Sequence, residues 1–281
     1  MSDYALLDSG GFAKLERFGE WVLHRPSPQA FWAPRRPELW SDAHARYERS
    51  SKGGGQWVDD DAVPEAWPCR IGELEFELRR TGFGHIGVFC EQAPFWQWIT
   101  STCEGRELRV LNLFAYTGGS SLAAARGGAD VTHCDASRGV VQWASENAER
   151  NEFPGTIRWI VDDAIKFLRR EERRENTYHG IILDPPSFGR GPKGEVFKLE
   201  EGARELMESV VAVLDPEPAF VLLSAHTPGL GPIALRNLLE SSLTGHAAAS
   251  SLDIEHGEMC VEGSEDGFTL PAGTWARAAR R

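Results

Sequence analysis

The sequence contains no run of eighteen or more apolar residues, which excludes a membrane-spanning helix of ordinary length. It begins Met1-Ser2-Asp3-Tyr4, without a basic start or an apolar stretch behind it, so no secretory signal is expected. Cysteine is scarce. The five (Cys69, Cys90, Cys103, Cys134 and Cys260) are scattered, odd in number and never spaced Cys-x-x-Cys, which suits a reducing cytoplasm. No two histidines have metal-ligand spacing, and His256 with Cys260 stands isolated, so no metal is expected. Low-complexity tracts and solenoid repeats are absent too.

An excess of positive charge is also missing, for the 281 residues carry a formal charge of −12. Residues 1–105 hold 11 basic and 16 acidic side chains, and residues 106–281 hold 19 and 26, so neither part is basic. Tight nonspecific binding to nucleic acid rests on neutralising phosphates and is disfavoured, although a local basic patch stays compatible with these numbers. Arg169, Arg170, Arg173 and Arg174 form one cluster. Interleaved with Glu171, Glu172 and Glu175 on a helix, they read as a solvated face.

What is present divides the chain in two. With 41% apolar residues there is material for a sizeable core. Residues 1–105 hold seven of the ten tryptophans (Trp21, Trp32, Trp40, Trp57, Trp67, Trp96, Trp98) and a glycine break at Gly53-Gly54-Gly55. Apolar Leu74, Phe76 and Leu78 alternate with Glu73, Glu75 and Glu77, so residues 71–78 predict one half-buried strand. This part is expected to be a small, mostly β N-terminal domain with lead-in strands. Its tryptophans either stack nucleobases or pack in a core, and packing is the simpler reading.

From residue 106 to 281 the rhythm is strand–helix alternation. Strands are predicted at 108–113, 130–134, 157–161, 180–184 and 219–224, and helices at 119–127, 138–150, 163–174, 200–213 and 231–242. This is the pattern of a doubly wound, mostly parallel, Rossmann-like α/β sheet. Residues 251–261 and 267–277 read as a closing antiparallel pair.

In such sheets ligands bind beyond the carboxyl ends of the strands. Four features fall there. The apolar run Val110-Leu111-Asn112-Leu113-Phe114 stops at Thr117-Gly118-Gly119, where a helix opens. Asp135 ends the second strand, at the distance where an acid accepts ribose hydroxyls; its other reading is a helix cap. Asp162 and Asp163 follow the third strand and face an adenine amino group or cap a helix, one of the two being expected as the cap. Asp184-Pro185-Pro186 follows Ile181-Ile182-Leu183. Together these predict an adenosine-type ligand. The first turn reads Phe114-Ala115-Tyr116-Thr117-Gly118-Gly119 where a nicotinamide enzyme carries Gly-x-Gly-x-x-Gly, and the aromatics obstruct a pyrophosphate. S-adenosylmethionine, which has no phosphate, fits better.

The stretch Asn112 to Gly119, with Asp135, Asp163 and Asp184-Pro185-Pro186-Ser187-Phe188, resembles the class I S-adenosylmethionine-dependent methyltransferases. It is most similar to the bacterial large-subunit ribosomal RNA methyltransferases of the I and K types. The similarity also takes in residues 84–92 and covers about residues 71–225. The resemblance implies that Asn112, Phe114, Tyr116, Thr117 and Gly118 surround the methionine part and that Asp135, with Ala136, holds the ribose. It implies that Asp162 and Asp163 with Ala164 flank the adenine. Phe89, Glu91 and Gln92 would cover the other side, and Asp184, Pro185, Pro186 and Phe188 would face the methyl group and acceptor.

Two departures stand out. About 70 residues precede the shared region, and they show no match to the RNA-binding domain common in that branch. The cysteine that cytosine-C5 enzymes use as nucleophile is replaced by Ala225. Direct in-line transfer without a cysteine is therefore expected, onto a ring nitrogen or another kind of acceptor. Residues 189–198 are glycine-rich and locally basic, and read as a substrate loop with Ser187, Arg190, Lys193 and Lys198 as contacts, or as a plain surface loop. His85 and His226, the only histidines near predicted strand ends of the site, read as packing residues or as supports of the groups there, against the alternative of a base. The expected partner is ribosomal RNA, with a small molecule or protein as the alternative substrate and a noncatalytic module of the same fold as a third reading.

Overall fold

A computed structural model provides the fold and describes residues 2–50, 54–58, 62–190 and 196–280. Two compact units emerge. The first is the chain up to Ala93 together with Cys260–Ala272, and the second is Pro94–Met259 with the chain from Gly273 onward. The change in composition near residue 105 thus lies beyond the helix that opens the second unit.

The first unit is built from strands β1 (Tyr4–Gly10), β2 (Ala13–Phe18), β3 (Trp21–Pro26), β4 (Ala45–Arg49) and β5 (Gly55–Val58), ordered β1-β2-β3-β4-β5. All neighbours are antiparallel except β3 and β4. Leu6, Ala30, Val261 and Leu270 form a small core with Tyr4 and Trp32 against it. A buried ion pair also holds this unit. Glu16 Oε2 lies 2.8 Å from Arg25 Nε and 2.6 Å from its NH2, and Lys14 reaches the other oxygen at 3.0 Å.

Residues 71–78 correct the expectation of a single strand. Ile71 ends β6 (Ala66–Ile71), Gly72 turns with φ +61°, and β7 (Leu74–Arg79) returns antiparallel. The alternation is real but belongs to the second arm, where Leu74, Phe76 and Leu78 are buried. Glycine reaches that left-handed conformation without steric cost, so the turn falls there. Gly53 lies outside the described residues. The tryptophans pack: all seven of residues 1–105 are buried or half-buried.

The second unit opens with α1 (Ala93–Cys103) and then alternates: β8 (Arg109–Leu113), α2 (Gly119–Arg126), β9 (Asp130–Asp135), α3 (Arg138–Glu149), β10 (Thr156–Val161), α4 (Ala164–Arg173) and β11 (Gly180–Leu183). A short pair follows, β12 (Phe188–Arg190) and β13 (Val196–Lys198), then α5 (Leu199–Ala212), β14 (Phe220–Ala225), α6 (Pro232–Leu243), β15 (Leu252–Val261) and β16 (Leu270–Arg280). The sheet order is β10-β9-β8-β11-β14-β16-β15. Strands β8, β9, β10, β11 and β14 are parallel, and β16 runs antiparallel to β14. This is the predicted doubly wound sheet with its antiparallel finish. The strand order reverses between β8 and β11, so the binding crevice of the fold lies at their carboxyl ends.

Register decides which side chain faces which helix. Leu111, Leu113, Cys134, Ile181, Leu183, Val221 and Leu223 share one core with Phe167, Leu206, Met207, Val210, Leu235 and Leu239 of α4, α5 and α6. The alternate residues face the other layer, where Trp98 of α1 meets Phe220 with ring centroids 5.2 Å apart. Both faces being covered explains why β11 and β14 are apolar runs without alternation.

Candidate functional site at the carboxyl edge of the sheet

Three central strands end in register. Leu113 of β8 pairs with Cys134 of β9 and with Leu183 of β11. The next residues, Phe114, Asp135 and Asp184, therefore stand at one level of the sheet edge. On β10, Val161 pairs with Asp135, which sets Asp162 and Asp163 just beyond it.

The loop from Phe114 to Gly119 is held from several sides. The Tyr116 N–H donates to Asp135 Oδ2 over 3.0 Å, and the Thr117 carbonyl accepts from Asn147 Nδ2 of α3 at 3.0 Å. Phe114 and Tyr116 adopt φ of +55° and +48°, conformations that cost non-glycine residues about 1–3 kcal/mol each and that cluster at functional sites. Gly118 caps α2 in the left-handed region at φ +95°. A Cβ on Gly119 would lie 2.6 Å from the Trp96 ring, so this glycine is the condition for α1 to close against the start of α2.

Beneath the loop runs a buried polar chain. Asn112 Nδ2 donates to Ser121 Oγ at 2.9 Å, and Ser121 Oγ meets His133 Nδ1 at 3.0 Å. Asn112 thus lies under α2, its amide engaged by Ser121. Burial pushes His133 down to about 3, so its ring is neutral at ordinary pH.

Asp135 has two jobs locally. Its Oδ1 accepts from Ser137 N at 2.9 Å, which starts α3, and its Oδ2 holds the Tyr116 amide. Burial raises its carboxyl, and the Ser137, Tyr116 and Ala136 amides oppose that rise. Each carboxylate oxygen has a second lone pair, so Asp135 keeps acceptor capacity for a hydroxyl. Ala136 beside it is exposed. Asp163 is the N-cap of α4, accepting from Lys166 N at 3.0 Å, so the acid expected to cap is this one. Asp162 accepts from Asp163 N at 2.8 Å and pairs with Arg170 at 2.5 Å. Ala164 is buried, and Val161 is 43% exposed beside these acids. Two more arginines of the cluster at 169–174 are paired as well, Arg169 with Glu205 and Arg174 with Glu171.

After β11, Asp184 is half-buried with His226 Nδ1 3.3 Å from its Oδ1. Pro185 is buried, Pro186 and Ser187 are exposed, and Phe188 is 52% exposed. Residues 188–190 pair with 196–198, so the ends of the glycine-rich stretch form a hairpin. Lys193 lies outside the described residues, and Lys198 pairs with Glu201 at 2.7 Å. Phe89, Glu91 and Gln92 belong to the first unit, on a 3-10 turn where Glu91 and Gln92 are buried and Phe89 rests on His85.

Thiol chemistry has no support at this edge. Cys134, next to Asp135 in sequence, is fully buried in the α4–α6 core, and burial drives its thiol far above the ordinary range. Ala225 is buried as well. Among the described residues no group of three or more histidine, cysteine or acidic side chains converges for a metal, and no helix is long and apolar enough to cross a membrane. Asn147, Ser121 and Trp96 carry the loop, yet the sequence reading missed them. The usable signal was a polar residue on the apolar face of a helix, as with Asn147.

Comparison with known proteins agrees with this fold. The chain is 36% identical, at a TM-score of 0.91, to the crystal structure of a SAM-dependent methyltransferase from Agrobacterium tumefaciens, covering 100% of this chain and 91% of that one. It is also 35% identical over 173 residues to the ribosomal RNA large subunit methyltransferase K/L of Hahella chejuensis, and 31% identical over 147 residues to the protein of that name from Pseudomonas aeruginosa. Those alignments cover 61% and 52% of this chain, which spans only 23% and 20% of the two relatives. The profile of the S-adenosylmethionine-dependent methyltransferases matches residues 31–256. The chain belongs to the S-adenosylmethionine-dependent methyltransferase family.

Proposed function

We propose that the protein transfers the methyl group of S-adenosylmethionine to a ring nitrogen of a ribosomal RNA base, directly and without a cysteine nucleophile. The observation that carries this reading is the common level of Phe114, Asp135 and Asp184 at the strand-order reversal. Asp135 accepts the ribose hydroxyls. The adenine lies over exposed Val161, with its edge toward Asp162, Asp163 and Ala164. The strained loop of Phe114, Tyr116, Thr117 and Gly118 cradles the methionine part, with its helix start facing the carboxylate.

The reaction is an in-line displacement. The methyl carbon bonds to the lone pair of the acceptor, its bond to sulfur breaks, and the sulfur leaves as a neutral thioether. A pyridine-type ring nitrogen needs to lose no proton, because it takes over the positive charge of the sulfonium. Asp184 then serves as a fixed negative group beside that charge. The two prolines after it remove N–H donors and leave their carbonyls as acceptors. Exposed Phe188 offers a face for stacking the base, and Ser187 and Lys198 flank the approach.

RNA as acceptor is supported by the names of the K/L relatives. The net charge of −12 favours a second reading, a protein or small-molecule acceptor. Incubation with tritiated S-adenosylmethionine and separate RNA, protein and metabolite pools distinguishes them. Label in large-subunit RNA is expected, and label confined to protein or metabolites overturns the RNA assignment.

A further inference from the structure

Three phenylalanines stand out on the surface of the first unit: Phe12 is 63% exposed, Phe31 75% and Phe268 39%. Gly11 and Phe12 form the two-residue turn between β1 and β2, where Gly10 pairs with Ala13, and both take left-handed φ, +58° and +64°. Such turns favour glycine, asparagine or aspartate. A phenylalanine there carries steric strain and leaves its ring in water, so the hairpin itself has no use for it. The Gly11 N–H donates to the Trp32 carbonyl and the Phe12 N–H to the Ala30 carbonyl, each over 2.7 Å, which sets the turn beside Phe31. Phe31 meets Trp32 edge-on with ring centroids 5.7 Å apart, and Trp32 meets Phe268 at 5.9 Å. Trp32 is the root of the group. Its Nε1 donates to the Ser9 carbonyl at 2.9 Å, and its ring packs on the small core around Leu6. The rings therefore make one fixed aromatic patch.

The rim of the patch carries both signs. The Arg35 guanidinium lies over Phe268, 4.4 Å from the ring centroid, and donates to the Asp266 carbonyl. Arg36 pairs with Glu265 at 2.9 Å and approaches Glu38 at 4.0 Å. Buried Asp8 fixes this segment, its carboxylate accepting from Arg35 N at 3.2 Å and from Arg36 N at 2.9 Å. Two basic side chains thus accompany three acidic ones, Glu38, Glu265 and Asp266. Phosphates need a basic excess, so this charge pattern disfavours RNA as the occupant. An aromatic centre with arginine and a polar rim is the composition of a protein interface. A second copy of the chain brings rings for the centre and both signs for the rim. Under a two-fold axis the arginines of each copy meet the acids of the other. We propose that this patch is the interface of a symmetric homodimer, with Phe31 and Phe268 at its centre.

Sedimentation equilibrium of the full chain, from about 1 to about 100 μM, reads the oligomeric state. A monomer–dimer equilibrium is expected, and Phe31→Asp and Phe268→Asp should each weaken it at least about tenfold, as the loss of a central aromatic anchor does. Phe31 lies mostly in water in a single copy, so the thermal melt of Phe31→Asp followed by circular dichroism should match wild type. A wild-type chain that stays monomeric at the highest concentration overturns the proposal, as does a dimer that neither variant weakens. A photocross-link separates this face from any other. With Phe31→p-benzoylphenylalanine in a mixture of unlabelled and nitrogen-15 chains, adducts between copies are expected on residues 11–36 or 262–268. Adducts confined to other segments overturn the proposal. Labelled single-stranded RNA that binds a monomeric wild type and is lost in Phe31→Asp assigns the patch to RNA and likewise overturns the dimer. None of these readouts depends on which acceptor is methylated.

Discussion

The main-chain N–H of Tyr116 donates to Asp135 Oδ2 over 3.0 Å, so the turn after the first strand of the parallel sheet is fastened to the acid that ends the second. Neighbouring strands thereby share one rigid edge. Tyr116 holds its left-handed backbone there, at φ +48°, against the steric preference of a bulky residue.

Asp135→Ala removes both the anchor of that turn and the proposed acceptor of the ribose. Charge-assisted hydrogen bonds contribute about 1.5–3 kcal/mol each, so S-adenosylhomocysteine should bind at least about 100-fold more weakly. Isothermal titration calorimetry measures this. Affinity within threefold of wild type would remove Asp135 from the site.

Asp184→Ala separates the two halves of the reaction. The cofactor should bind with wild-type affinity while kcat falls by about 100-fold or more, as expected for a lost electrostatic partner of the transition state. Calorimetry paired with the tritium assay gives both numbers. A parallel loss of binding would contradict the role assigned to Asp184.

Gly119→Ala places a methyl group 2.6 Å from the Trp96 ring. Overpacking of this kind costs about 1–3 kcal/mol, measurable by urea unfolding. Trp96→Phe should relieve part of that cost in the double variant. Strict additivity would show that the two residues do not press on one another.

Glu16 makes the fold acid-sensitive in a definite direction. Burial alone raises its carboxyl, but Arg25 and Lys14 outweigh burial and hold it below the ordinary value. The folded state thus binds this proton more weakly than the unfolded chain. The stability contributed is complete above the ordinary glutamate value, about pH 4.3, and is lost as pH falls through the lowered one. Glu16→Gln should cost about 3–5 kcal/mol at neutral pH and flatten the acid limb of the stability profile, since it leaves Arg25 buried without its partner. An unchanged acid limb would place the sensitivity elsewhere, with His133 next. Its value near 3 also means that protons favour the unfolded chain below the ordinary histidine range.

Much of this was legible in the sequence because it is local. Strand and helix positions followed from apolar periodicity broken by glycine, and the parallel order followed from their alternation. That one of Asp162 and Asp163 caps a helix was visible because the two acids stand before a helical pattern; which one does was not. The rest depends on partners distant in sequence. Nothing near Gly119 announces Trp96, nothing near Thr117 announces Asn147, and nothing near Asp184 announces His226. The turn at Gly72 was hidden because the alternation continues through it on both arms. The return of Cys260–Ala272 to the first unit likewise has no local signature.

The account turns on where the cofactor lies, and a crystal structure with S-adenosylhomocysteine bound tests that most directly. The ribose hydroxyls should meet Asp135, the adenine should cover Val161, and the sulfur should face Asp184. A ligand seated away from the Phe114–Gly119 turn, or with its ribose out of reach of Asp135, would contradict it.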